Sequence, residues 1–272
     1  MKIILLVVII FLFIINHNTL VHKTFNYNYP FSDNIRKSNT TYDQLYSKLY
    51  DDIYYEKKRY DYETQIVLNI MKKYINHETY KWLDIACGTS KHFTKRVNLN
   101  IEYIGLDKSK HMLHQAFKNK SNYHKKFIQF DYRNLNLIKN KFDIITSYYC
   151  GLYYVKDIES ILNDISKILS GYFILSYIDK NNLEVLTLDN RYMKYKNGLI
   201  KYQGRWENYK NETYYHEYFY DNNKLICYNK HIMYIPNDIK DILKKYFKIV
   251  KEINYKDKFD AADEYLFVLR NK

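Results

Sequence analysis

The stretch Tyr80–Asp107, YKWLDIACGTSKHFTKRVNLNIEYIGLD, constrains this chain most. It reads as an apolar strand (Trp82, Leu83, Ile85) carrying an acid, Asp84, followed by a turn of small residues, Ala86 to Ser90, and a helical segment. A second strand, Ile101–Leu106, stops at Asp107, nineteen residues beyond Gly88. Strand, small-residue turn, helix and strand-plus-acid is the nucleotide-binding half of a doubly wound α/β sheet. Small residues let the backbone approach a ligand, and a helix start offers free N–H groups. The distal acid can accept both ribose hydroxyls. The GxGxxG spacing of a dinucleotide turn is absent.

The flanking sequence keeps the same rhythm. Tyr42, Leu45, Tyr46, Leu49, Tyr50, Ile53 and Tyr54 follow the i, i+3, i+4 rule of an amphipathic helix, and Tyr62–Ile75 gives a second. Beyond Asp107 the pattern predicts a helix over 109–118 capped by Ser109, and a strand Phe127–Phe130 ending at Asp131. A buried strand Phe142–Ser147, a helix Ile158–Leu169 broken by Gly171, and a strand Tyr172–Ser176 come next. Alternation at these lengths implies an α/β fold with a doubly wound, Rossmann-like, mostly parallel sheet. Ligands bind at the carboxyl ends of such strands, where Asp84, Asp107, Asp131 and Ser147 fall. Period-two alternation then predicts a small antiparallel insertion over 195–235, with Asn222–Asn223 as a hairpin turn. A helix over 238–246 and an antiparallel pair, Phe247–Asn254 and Tyr265–Leu269, close the sheet.

A chain of 272 residues with 47% hydrophobic and 27% charged residues can bury a full core. Its formal charge of +13 is spread along the chain without like-charge blocks, the pattern of a solvated basic surface. Cys87, Cys150 and Cys227 make no metal spacing, and no metal is expected. Ile3–Ile15 is continuously apolar, and residues 1–22 read as an uncleaved signal anchor or as a cleaved signal peptide. The first gives a single-pass membrane protein whose catalytic domain faces the cytosol, the orientation that Lys23, Arg36 and Lys37 against Lys2 favour. The second gives a secretory-pathway protein. Residues 23–40 read as a linker, and 41–272 as one domain with its nucleotide-binding core at 81–180.

The turn resembles the first motif of class I S-adenosylmethionine (SAM) methyltransferases, an acid followed by three small residues at alternate positions. Here these are Asp84, Ala86, Gly88 and Ser90, with two of the usual glycines replaced. Upstream, LYDDIYYEKKRYDYETQ (49–65) is similar to a segment of the small-molecule, amino-sugar type N-methyltransferases. GLDKSKHM (105–112) and FDYRNL (130–135) resemble their later motifs. The resemblance covers about Tyr42–Arg270 and implies a seven-stranded sheet with an N-terminal helical cap. It further implies SAM as cofactor and a small amine or sugar-like acceptor.

The implied roles follow residue by residue. Asp107 would hold the ribose hydroxyls, Lys108 and Met112 would flank the adenine, and Asp131 with Tyr132 would contact its rim. Asp84, Ala86, Gly88 and Ser90 would surround the methionine part, with Ser147 at the neighbouring strand end. Tyr42 matches a tyrosine that reaches the methyl-donor region, and the faces of Tyr42 and Tyr149 suit a sulfonium cation. The family's candidate base is a histidine after the FD strand, where this chain has Tyr154. A phenol is a weak base, so His231 and His216 on the insertion are alternatives. Two other readings compete, an RNA-cap guanine-N7 methyltransferase favoured by the charge and a non-catalytic, membrane-tethered binding module.

Overall fold

The computed structural model describes residues 35–37, 41–75, 78–93, 99–119, 125–149, 151–180, 183, 188–195, 198–210, 212–259 and 264–272. The signal-anchor segment, most of the linker and Cys150 lie outside them. Among the described residues no helix is long and apolar enough to cross a membrane.

The linker contributes a strand that the sequence pattern does not announce, β1 (Ile35–Lys37). Two helices follow, α1 (Gln44–Tyr54) and α2 (Lys57–Tyr74), the second starting five residues earlier than its apolar period. Asp43 caps α1 by accepting the Tyr46 N–H at 2.9 Å. The central run is β2 (Tyr80–Ile85), β3 (Ile101–Asp107), α3 (Lys110–Lys118), β4 (Lys125–Gln129), β5 (Phe142–Ser147), α4 (Ile158–Ile168) and β6 (Leu169–Ile178). After the β2 turn only a 3₁₀ turn, Lys91–Phe93, is described where a helix was expected. Ser109 caps α3 as anticipated, accepting the Met112 N–H at 3.2 Å. Gly171 lies inside β6 and does not end the preceding helix.

Four long strands come next: β7 (Leu188–Tyr195), β8 (Gly198–Tyr209), β9 (Glu212–Asp221) and β10 (Lys224–Met233). The chain ends with α5 (Ile239–Tyr246), β11 (Phe247–Asn254), a one-turn α6 (Lys256–Phe259) and β12 (Glu264–Asn271). The main sheet has the order β11-β12-β6-β5-β2-β3-β4, parallel from β4 to β6 and antiparallel at β12 and β11. This is the seven-stranded, mostly parallel sheet expected. Its central strands are buried on both faces, as parallel strands under helices must be: all six residues of β5 are buried.

The insertion starts earlier than 195 and is larger than a single meander. β7 to β10 pair antiparallel, and β1 joins β10 in parallel to make five strands. Asn222 and Asn223 form its last hairpin turn with φ of 47° and 61°. Asparagine tolerates that left-handed pair better than most L-residues, and glycine better still. The inner face of the insertion (Tyr202, Phe219, Cys227) packs against Tyr46, Leu49 and Ile53 of α1. Left-handed backbone costs an L-residue roughly 1–2 kcal/mol and the entropy of a glycine in the unfolded chain offsets part of that, so Asn223→Gly should raise stability by up to about 1 kcal/mol, read as a higher urea midpoint with an unchanged slope.

Candidate active site

The β2 turn is built on left-handed backbone at alternate residues. Ala86, Gly88 and Ser90 have φ of 54°, 55° and 55°. An L-residue there costs roughly 1–2 kcal/mol, so the Ala and Ser need local support. Ala86 gains room from Gly151, where a Cβ would come within 3.0 Å of the Ala86 methyl and 3.1 Å of Ser147 Oγ. Ser90 turns its hydroxyl inward to donate to Tyr103 Oη at 2.9 Å. Tyr103 in turn donates to Asp84 at 2.6 Å, and Thr146 donates to the other Asp84 oxygen at 2.7 Å. Burial pushes the Asp84 carboxyl up, and these donors work against that rise. Asp84 thus ties β2 to the middle of β3 through Tyr103 and to the end of β5 through Thr146.

Asp107, at the end of β3, accepts the Gly88 N–H on one oxygen at 2.9 Å and the Ser109 N–H on the other at 2.8 Å. Each oxygen keeps acceptor capacity for a ligand hydroxyl. Burial pushes this carboxyl up to about 6. Lys108 and Asp131 form an ion pair at 3.4 Å, and the Arg133 guanidinium, whose Nε donates to Asp131 at 2.9 Å, holds Asp131 down at about 2. Burial pushes the Tyr132 phenol up. Ser147 is buried, and its hydroxyl has no partner among the described residues.

Helix α1 lies over this turn. A Cβ on Gly88 would meet Met112 Cε at 3.3 Å and the Tyr50 ring at 3.7 Å. Asp51 accepts the Thr89 hydroxyl and pairs with Lys91 at 3.2 Å. A cavity of about 20 Å³ remains among Tyr50, Asp84, Ala86, Ser90 and Tyr148.

The three candidate catalytic residues, from separate segments, come together beside that helix. Tyr42 and Tyr154 share a hydrogen bond between their hydroxyls at 2.5 Å. Their ring centroids lie 6.2 and 5.6 Å from that of His231. The Tyr42 carbonyl accepts from Ser109 Oγ at 2.6 Å, which fixes the cluster against the loop that carries Asp107. His231 Nε2 bonds Glu217 Oε2 at 2.7 Å, and both residues are fully buried.

Two sequence expectations fail here. His216 points to the opposite face of β9, where Glu207 at 2.8 Å and the Tyr228 hydroxyl at 2.6 Å occupy its two nitrogens. Tyr149 turns its face to the Arg59 guanidinium, 4.2 Å away, which takes the place assigned to a ligand cation. Glu217 was missed altogether. The available signal was its phase: in TYYHEYFY it shares the inward face with Thr213, Tyr215 and Phe219, all buried.

A family model described as a methyltransferase domain matches residues 76–248. No curated protein matches the chain by sequence. Among solved structures, an S-adenosylmethionine-dependent methyltransferase from Clostridium acetobutylicum aligns at 20% identity and a TM-score of 0.61, over 84% of this chain and 96% of that one. A SAM-bound amino pentose methyltransferase from Micromonospora echinaspora aligns at 14% identity and 0.62, over 85% and 98%. A sugar N-methyltransferase from Streptoalloteichus aligns at 14% and 0.59, over 90% and 96%. At such identities the likeness is one of fold.

Gly151→Ala should cost about 1–3 kcal/mol through its clash with Ala86, and Ala86→Gly in the same chain should recover part of it. Denaturant melts of the two single variants and the double variant measure that coupling. Asp107 gives a pH prediction. The folded chain keeps its proton to about pH 6, whereas an unfolded aspartate releases it near 4. The Asp107 contribution to stability is therefore full below about pH 4 and lost as pH rises through 6. Asp107→Asn should remove that decline from urea midpoints collected across the window.

Proposed function

The chain belongs to the methyltransferase-domain family and is a SAM-dependent methyltransferase; from that premise we propose that it methylates the nitrogen of a small, amine-bearing acceptor. The observation that carries this reading is the convergence of Tyr42, Tyr154 and His231 beside the β2 turn. Aromatic faces stabilise a cation, and a buried imidazole beside them can handle an amine proton. The amino pentose and sugar N-methyltransferases among the structural neighbours lend the acceptor class further support.

The residues present fit SAM. Asp107 has acceptor capacity for the two ribose hydroxyls, and the left-handed Gly88 keeps the turn free of a Cβ. Met112, Lys108, Asp131 and Tyr132 would border the adenine, and Asp84, Ala86, Ser90 and Ser147 the methionine end. SAM, when bound, supplies a methyl on a sulfonium sulfur: the acceptor lone pair forms the N–C bond as the S–C bond breaks and a neutral thioether leaves. Helix α1 excludes water from that space, and positioning supplies most of the rate. We also retain the membrane-anchor reading of residues 1–22 as a proposal, resting on the apolar run Ile3–Ile15.

Titration calorimetry of the whole chain should detect SAM binding, lost in Asp107→Ala while the fold persists by circular dichroism. With labelled SAM, a panel of alkylamines, amino sugars and a capped oligonucleotide should give methylated amines. Methylation of the oligonucleotide alone would replace this reading with the RNA-cap one. Normal SAM binding by the folded Asp107→Ala variant would remove the assigned ribose site.

A further inference from the structure

Glu217 has no counterpart in the roles assigned so far, yet five side chains converge on it. One oxygen accepts the Tyr46 hydroxyl at 2.7 Å and lies 2.7 and 2.9 Å from the hydroxyls of Tyr54 and Tyr202, which also bond each other at 2.7 Å, so one of that pair donates to it while the other donates to its neighbour. The other accepts Asn229 Nδ2 at 3.2 Å and His231 Nε2 at 2.7 Å. Burial pushes this carboxyl up, but His231 and the phenols more than offset it and hold it below the ordinary glutamate value. An ionised carboxylate only accepts, so His231 Nε2 carries the proton. In the neutral ring, Nδ1 is then left with a bare lone pair. That nitrogen is buried and has no hydrogen-bond partner among the described residues. A buried polar atom left unpaired is costly, and it is retained where a ligand completes it.

We propose that His231 Nδ1 is the group that takes a proton from an ammonium-bearing acceptor, and that Glu217 is the positioning residue that makes it available. The inference rests on the amine-methyltransferase reading and adds the base, its tautomer and the charge of the acceptor. The acceptor arrives as R–NH3⁺. One N–H bond breaks, its proton passes to Nδ1, and R–NH2 is left with the lone pair that methyl transfer requires. The imidazolium formed is balanced by the Glu217 anion and later returns its proton to solvent. The other groups facing the ring are the phenols of Tyr42, Tyr154 and Tyr215, none of them a cation. A phenol, thiol or carboxylic acid would have to become an anion beside a buried carboxylate, so the geometry selects amines against them. Tyr154, which stands where a base was expected, serves here as the hydroxyl partner of Tyr42.

The test is ¹⁵N-histidine NMR on the whole chain, with the His231 signals assigned by their loss in His231→Gln. The wild type should show a protonated Nε2 and a bare Nδ1. In Glu217→Gln that tautomer preference should disappear. SAM affinity by calorimetry should stay within about twofold of wild type. Added methylammonium should shift Nδ1, whereas acetate should not. With an amine acceptor from the screen, His231→Gln should slow methylation by about 10²–10⁴-fold. A wild-type ring protonated on Nδ1 alone overturns the proposal, and that spectrum decides the matter even if Glu217→Gln fails to fold. A Glu217→Gln variant that folds with an unchanged tautomer overturns the positioning role. A response to acetate and none to methylammonium overturns the acceptor class. Failure of the methyltransferase reading itself would appear separately, as absence of SAM binding in the wild type.

Discussion

The carboxylate of Glu217 is the contact on which the packing of α1 against the antiparallel sheet depends. A charge with no exposure to water survives only if donors replace its hydration. Two of the groups around it, Tyr46 and Tyr54, come from α1, and three, Tyr202, Asn229 and His231, come from the antiparallel sheet. Apolar contacts would let the helix slide on the sheet. Convergence of directed bonds does not, because a shifted helix would strand a buried anion. The same helix carries Tyr50 and Asp51 on its other side, over Gly88 and Thr89. One amphipathic helix therefore sets the spacing between the β2 turn and the cluster of Tyr42, Tyr154 and His231.

The cofactor turn answers a different constraint. Its geometry demands left-handed backbone at three alternate positions, which glycine meets without strain and this chain meets with one glycine. The two exceptions are supported by contacts made at a distance. Gly151 leaves space for the Ala86 methyl, and Tyr103 receives the Ser90 hydroxyl while holding Asp84. The substitutions accordingly leave the turn's course intact and move part of its support onto β3 and the end of β5.

These observations explain what was legible in the sequence. The alternation of strands and helices, the acids at the strand ends, the Ser109 cap and the Asn222–Asn223 turn are local signals, each set by chemistry within a few residues. Tyr42, Tyr154 and His231 were legible through resemblance, and the fold brings them together. Glu217 was not, because a lone glutamate in a tyrosine-rich alternating run reads as a surface residue until the phase of the strand is known. Phase also separates His231, turned inward, from His216, turned outward. β1 was lost for another reason: three residues cannot show a period, and their pairing with β10 is set nearly two hundred positions away. The helical stripe of α1 gave the buried face correctly but could not say which of two walls each tyrosine meets.

Some of the 33 tyrosines have a definite use in the interior. Tyr103 serves Asp84, Tyr255 serves Glu63 at 2.5 Å, and Tyr46, Tyr54 and Tyr202 serve Glu217. Each phenol fills core volume as a phenylalanine would and brings a hydroxyl to a carboxylate that water does not reach. Glu63 needs more: burial pushes it up, and Arg59 at 2.9 Å, His92 at 2.6 Å and the Tyr255 hydroxyl together bring it down to about 2. Glu217 sits among phenols and an amide, and its nearest cation can form only on His231. With no Arg or Lys partner among the described residues, Glu217 depends on directed O–H and N–H bonds to carry its buried charge.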